Sequence, residues 1–390
     1  MTYFKSQMNP IALRASARRM LEENILPFWQ ERMVDNEHGG FYGRIDGHDI
    51  LHSDAPKGAI LNARILWTFS AACRVLHKTE YRIMAARAYD YLMLRFVDRE
   101  FGGVYWSLNA DGTPLDTKKQ TYAIAFVMYG LAEYARLTGD EDAKRQAISL
   151  FHDIERHAFD ATNVGYVEAL TRDWQPIADM RLSEKDENGS RTMNTHLHVL
   201  EAYTCLYRIW PDEQLEKQLR TLVNIFVTRI YNPENGHLDL FFDDCWRGKR
   251  DKHSPGHDIE ASWLLQEAIE VLGDEKLLQQ TLPVIHHLVQ ASEEGIMKER
   301  QWWCYAEAVV GFYNQYQLYK KDKPAESIIN YEMAEAAYVY ITTHLVDYVH
   351  CEWHWGLMPD GSVDRENDKA GFWKCPYHNS RMCLEILERV

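Results

Sequence analysis

Two histidines each stand two residues behind a proline. Ser254-Pro255-Gly256-His257-Asp258-Ile259-Glu260 and Trp373-Lys374-Cys375-Pro376-Tyr377-His378-Asn379-Ser380-Arg381 both read as an N-cap, a proline at the first helical position and a histidine in the first turn. The positive end of a helix lowers a histidine pKa and favours the neutral imidazole. That form takes a proton as a general base near neutral pH. A single histidine of this kind is most simply a local cap or packing group. Two of them, 121 residues apart, ask for a common cause.

The elements that would position them repeat. Gly39-Gly40-Phe41-Tyr42, Gly102-Gly103-Val104-Tyr105-Trp106, Gly165-Tyr166-Val167, Gly236-His237-Leu238, Gly295-Ile296-Met297 and Gly356-Leu357-Met358 follow at steps of 63, 62, 71, 59 and 61 residues, counted from Gly40. Units of about sixty residues make a repeat. Between the markers, apolar periodicity predicts helix pairs: 57–76 with 80–96, 120–137 with 141–156, 192–207 with 212–230, 255–272 with 275–291, and 302–319 with 326–346. The last helix, 376–389, has only the first, 9–32, left as a partner. An open solenoid needs polar capping repeats at its ends, so this chain is expected to close. The expectation is an all-α single domain over residues 1–390, an (α/α)6 barrel of six inner and six outer helices. The glycine turns would lie on one face and lead into the inner helices. The polar run Ser183–Arg191 reads as a mobile loop over the mouth.

A spacing of 121 is two repeat lengths. It places His257 and His378 at equivalent positions on the fourth and sixth inner helices, facing one cavity. Two neutral histidines across a cavity suit a two-base proton transfer, in which one removes a proton and the other returns one to the opposite face. Other polar residues open inner helices at the same end. Arg64 shares a face with Ile60 and Trp67, and Tyr122 opens the second inner helix. Asn194 and His198 are four apart and share a face that Glu201 extends, while His196 points elsewhere. Glu260, one turn after His257, is expected to orient it. Trp302, Trp303 and Glu307 open the fifth inner helix. Taken singly, each is more simply structural; Glu307, for one, would suit a buried arginine.

Composition narrows the class. The chain has 390 residues, 46% hydrophobic and 26% charged, as a globular protein with a sizeable core requires. A net charge of −15 argues against nucleic acid and anionic membrane surfaces as partners. Seven cysteines without a C-x-x-C pair indicate neither a disulfide framework nor a zinc knuckle. No secretory signal and no apolar run of membrane-spanning length is read; the missing signal and the unpatterned cysteines make a cytoplasmic location the expectation, and a monomer is expected.

The segments Lys57-Gly58-Ala59-Ile60-Leu61-Asn62-Ala63-Arg64-Ile65-Leu66-Trp67, Thr192-Met193-Asn194-Thr195-His196-Leu197-His198, Gly256-His257-Asp258-Ile259-Glu260-Ala261, Trp302-Trp303-Cys304-Tyr305-Ala306-Glu307 and Trp373-Lys374-Cys375-Pro376-Tyr377-His378-Asn379 carry a resemblance. The chain resembles the N-acylglucosamine 2-epimerase superfamily and, through its Trp-Lys-Cys-Pro-Tyr-His ending, the cellobiose 2-epimerases within it. The resemblance implies inversion at C2 of the reducing-end glucose of β-1,4-linked disaccharides, without a metal or redox cofactor. It implies ring opening, removal of the C2 proton by one histidine, an enediolate, and reprotonation by the other. Enediolate formation needs donors for the developing oxyanion, and Arg64 and His198 suit the C1 and C2 oxygens. Trp303 and Trp373 would stack on sugar faces; Tyr122 and Asn194 would bond hydroxyls, and Trp302, Glu307 and Asp186 join the binding set. Three alternatives stand beside this: an aldose–ketose isomerase or acylglucosamine epimerase using the same enediolate, an inverting glycoside hydrolase using Glu260 and Glu307, and a non-catalytic sugar-binding protein.

Overall fold

The computed structural model describes residues 9–248 and 252–389. Twelve helices alternate in these residues, counting 10–31 as one. Ala59–Leu76, Thr121–Thr138, Met193–Tyr207, Pro255–Leu272, Trp302–Tyr319 and His378–Arg389 form an inner ring. Each packs on the next, and His378–Arg389 packs back on Ala59–Leu76 to close it. The outer helices lie against these, with 10–31 seated on the last inner helix.

The division follows from pattern. Ala59–Leu76 and Thr121–Thr138 are buried almost all round, as core helices are, whereas Glu141–Asp153 and Glu213–Ile225 bury one apolar stripe. One expectation needs correcting here. Ala59–Leu76 is long and apolar enough to cross a membrane by length and composition, and 89% of it is buried inside the ring. Its apolar character serves the core.

Four outer helices end in a wide turn, at Leu92–Phe96, Ile154–Ala158, Phe226–Ile230 and Ile341–Leu345. A tight hairpin follows, bridged at Val97 to Val104, Tyr231 to Leu238 and Val346 to Trp353; Val34 to Phe41 is its counterpart after the first helix. Asp35, Asp98, Asp160 and Asp347 start these hairpins, each accepting from two backbone N–H groups of its own turn. The second carboxylate oxygen of each meets a cation on the segment leading into the next inner helix: Lys57 at 2.6 Å, Lys119 at 2.8 Å, Arg191 at 2.5 Å and Lys369 at 2.6 Å. Ion pairs, buried except at the partly exposed Asp160, thus tie each of these turns to the helix that follows it around the ring.

The glycine markers hold for the first four units and then fail. Gly40 and Gly103 have φ of +62° and +64°, and an added Cβ at Gly40 would lie 2.6 Å from the Tyr91 ring. Gly295, by contrast, lies inside the helix Glu275–Ile296, and Gly356 only bridges Gln301. The last hairpin falls earlier, where Cys351 and Glu352 adopt φ of 63° and 62°. A glutamate therefore occupies a glycine-like conformation. Its carboxylate accepts from Trp29 Nε1 at 2.6 Å, Lys374 Nζ at 3.0 Å and Asn379 Nδ2 at 2.6 Å, fixing the chain on both sides of His378.

Candidate active site

The residues singled out from the sequence lie in the first turns of the inner helices or, as Asp186 and Trp373 do, on the segments that lead into them. Pro255 opens its helix with Ser254 as N-cap, as expected. The last helix starts at His378 rather than Pro376, because Arg381 N–H donates to Tyr377 O and makes Tyr377 the residue before the first turn. His257 and His378 still converge. The Trp303 ring contacts both, its centroid 4.7 Å from His257 and 5.7 Å from His378.

Each histidine of the site has Nδ1 engaged. His378 Nδ1 lies 2.7 Å from Glu307 Oε1, His198 Nδ1 2.9 Å from Glu201 Oε2, and His257 Nδ1 2.7 Å from Ser254 Oγ. A ring held through Nδ1 leaves Nε2 as the nitrogen for a substrate. Glu260 does not orient His257. A side chain in the first turn leans toward the helix N-terminus, so His257 reaches back to Ser254 and away from Glu260. Glu260 instead accepts from Arg381 Nη2 at 2.5 Å and stands 3.9 Å from His378 Nδ1.

Arg381 is the residue that sequence reasoning missed. It is buried, and Nη2 also donates to Glu307 at 2.7 Å while Nη1 donates to Glu201 and Tyr377. Three glutamates from three inner helices therefore meet one guanidinium, itself laid over the Trp263 and Tyr377 rings. Glu260, Glu307 and His378 are close enough together to hold a metal ion, and Arg381 is the cation among them. The signal was present: three glutamates pointing into an apolar ring require a buried positive charge.

The electrostatics follow from this placement. Burial, then the Arg64 and Arg381 charges, hold His378 well below the usual histidine range. Burial, reinforced by His198, pushes His257 down to about 3. Burial also lowers His198, against the pull of Glu201. Burial would raise Glu201, but Arg381 and His198 bring it down to about 2. Glu260 goes the other way: burial and the Glu307 charge push it up to about 8. The site thus holds neutral imidazoles beside an ionised Glu201 and a Glu260 that favours its proton.

Arg64 lies flat between Phe126 and Tyr377, 4.3 and 4.6 Å from the ring centroids, and Nη2 donates to Tyr122 Oη at 3.0 Å. Its buried Nε has no partner. Trp302 is 2% exposed and packs edge-on against His378 with Lys374 over its ring. Trp303 and Trp373 are half-buried. His196 is neither surface nor site: it pins Tyr166 N–H to Thr192 O through its two ring nitrogens.

A cavity of about 260 Å³ opens beside His257, lined also by Asn194, Ser254 and Asp186 and roofed by part of 180–189. The buried Asn194 Oδ1 has no partner. Asp186 accepts from Ser183 N–H and Oγ–H at 2.9 Å, so its carboxylate shapes the loop. At the opposite end of the ring a cavity of about 230 Å³ is lined by Arg74, Arg136, Arg208 and Arg389 with glutamates. Those arginines are paired with Glu133, Glu267 and Glu385, and no histidine lines the cavity.

Residues 40–381 match the family model of N-acylglucosamine 2-epimerase. The chain is 52% identical to a cellobiose 2-epimerase of Bacteroides fragilis, covering 96% of this chain and 98% of that one. It is 39% identical to a cellobiose 2-epimerase of Ruminococcus albus over 95% and 97%. The structure superimposes on that of cellobiose 2-epimerase from Bacillus thermoamylovorans with a TM-score of 0.90 at 38% identity, covering 97% and 99% of the two chains.

Proposed function

The chain belongs to the N-acylglucosamine 2-epimerase family, and from that premise we propose that it reversibly epimerises C2 of the reducing-end glucose of β-1,4-linked disaccharides. Cellobiose gives glucosylmannose, lactose gives epilactose and mannobiose gives mannosylglucose. It is a carbohydrate epimerase, an isomerase. The observation that carries the reading is the pair His257 and His378, each anchored through Nδ1 and meeting at one Trp303 ring.

The chemistry runs on the open-chain aldehyde. One histidine takes the C2 proton at Nε2, the electron pair moves toward the carbonyl oxygen, and an enediolate forms. The other histidine must enter the step protonated at Nε2; it gives that proton to the opposite face of C2 and is left neutral while the first becomes the imidazolium, so one proton leaves, one arrives and the two rings exchange charge. Arg64 is the donor for the oxyanion, since its guanidinium is held charged and its Nε is unpartnered. Neutral His198, with Nδ1–H directed to ionised Glu201, offers Nε2 to a sugar hydroxyl as an acceptor. It acts as an oxyanion donor only when protonated. Asn194 Oδ1 and the Tyr122 hydroxyl bond the sugar, and Trp303 and Trp373 take its apolar faces. Glu260 and Glu307 are poor candidates for the flanking pair of a hydrolase, because both are committed to Arg381. The enzyme works as a monomer in the cytoplasm, where its seven free cysteines stay reduced.

Incubation with cellobiose in deuterated water tests this. NMR should show a mannose-configured reducing end with deuterium at C2 and an intact glycosidic bond. A ketose product would replace epimerisation by isomerisation, and free glucose would return the role to Glu260 and Glu307.

A further inference from the structure

The two histidines of the pair have unlike partners. His378 is backed by a carboxylate and His257 by a hydroxyl. Ser254 is the N-cap of Pro255–Leu272, where a serine oxygen ordinarily accepts from the second or third helical N–H. Asn9, Asp140, Thr192, Asp212 and Asp274 do this for their own helices. Ser254 makes no such bond; its Oγ lies 2.7 Å from His257 Nδ1 instead. Gly256 completes the clamp. A Cβ there would fall 2.7 Å from the Trp303 ring and 2.8 Å from Cys304 Sγ, so the bare glycine lets Trp303 close on the imidazole. The ring is held between a hydroxyl and an indole, at the edge of the cavity that Ser254 and His257 both line.

We propose that Ser254 is a positioning residue whose hydroxyl holds the His257 ring through Nδ1 and keeps Nε2 directed toward the substrate. The inference rests on the reading of His257 as an acid/base group. A carboxylate behind an imidazole stabilises the imidazolium strongly, while a neutral hydroxyl only orients it. The serine gives up its own helix-capping bond to do this, so its removal should affect turnover more than folding.

Three variants test the proposal. Ser254→Ala should lower kcat about tenfold, the equivalent of one lost hydrogen bond in the transition state. KM should stay within about twofold and Tm unchanged, since no cap bond is lost. Ser254→Thr keeps the hydroxyl and should restore kcat. Ser254→Asp places a carboxylate behind His257 and should move the acid limb of kcat/KM up by about one pH unit. A readout independent of substrate is the ¹⁵N spectrum of the His257 ring: a hydrogen-bonded Nδ1 in the unmodified protein, its resonance shifted in Ser254→Ala. Unchanged kcat with an unchanged His257 spectrum in Ser254→Ala would overturn the proposal. If the unmodified protein leaves cellobiose untouched while the ring spectrum shifts in Ser254→Ala, the substrate reading fails and the role of Ser254 stands.

Discussion

His378→Asn lowers kcat on cellobiose about a thousandfold, within the range that a positioned general acid–base group contributes. His257→Asn does the same. The two losses should differ in a second measurement. A site with one base left can still remove the C2 proton from the epimer whose hydrogen faces that base, and return it to the same face. Each single variant should therefore exchange C2 hydrogen for deuterium in one epimer and not in the other. The epimer exchanged by His378→Asn should be the one that His257→Asn leaves alone. The double variant should exchange neither. Cellobiose and glucosylmannose incubated separately in deuterated water give the four rates directly. A single variant that exchanges both epimers would mean that one base serves both faces, and the two-histidine mechanism would fall.

The second large effect is on stability. Arg381→Met should cost about 3–5 kcal/mol, because it leaves Glu201, Glu260 and Glu307 facing one another in a buried site without their shared cation. Urea unfolding measures it. The loss should be greater at pH 8 than at pH 5. Glu260 is raised to about 8, so the folded state already holds a proton that the unfolded chain releases above its ordinary carboxyl pKa. Stability from this group therefore falls as pH rises through that window. Glu201 has the opposite sign: held at about 2 mainly by Arg381 against burial, it stabilises above the ordinary carboxyl pKa and loses that contribution as pH falls toward 2. Without Arg381 this favourable term disappears and the unfavourable one grows. A loss under about 1 kcal/mol at pH 8 would show that the three carboxyls do not depend on Arg381.

The helices were legible because their punctuation is local. Prolines and apolar runs place 255–272 and 302–319 at their observed limits, and 120–137 is offset by one residue from Thr121–Thr138. The Asp-to-cation ties across the hairpins were not legible, because Asp35 and Lys57 share no local pattern and meet only after the turn has formed. The fifth glycine was misplaced for a related reason. A glycine inside a helix and a glycine at a turn look alike until something shows the sign of φ. At the site, the interval of 121 residues proved more informative than its first use. It separates His257 from His378 and equally separates Glu260 from Arg381, which pair directly across the ring. The partner of His257 was missed because spacing in a helix does not give side-chain direction. Glu260 and Ser254 are both three residues away, and the lean of the first turn selects the serine.

Closure of the ring has a kinetic consequence. The contacts that join its two ends connect positions more than 300 residues apart: Arg64 to Trp373, Thr68 to Pro376, and Trp29 to Glu352. Contacts of such high sequence separation form late, since the intervening chain must first be ordered. The five hairpins before His378–Arg389 can each form from near neighbours. On refolding from urea, helical signal should return before turnover does, and the lag between them is the time the last helix takes to find the first.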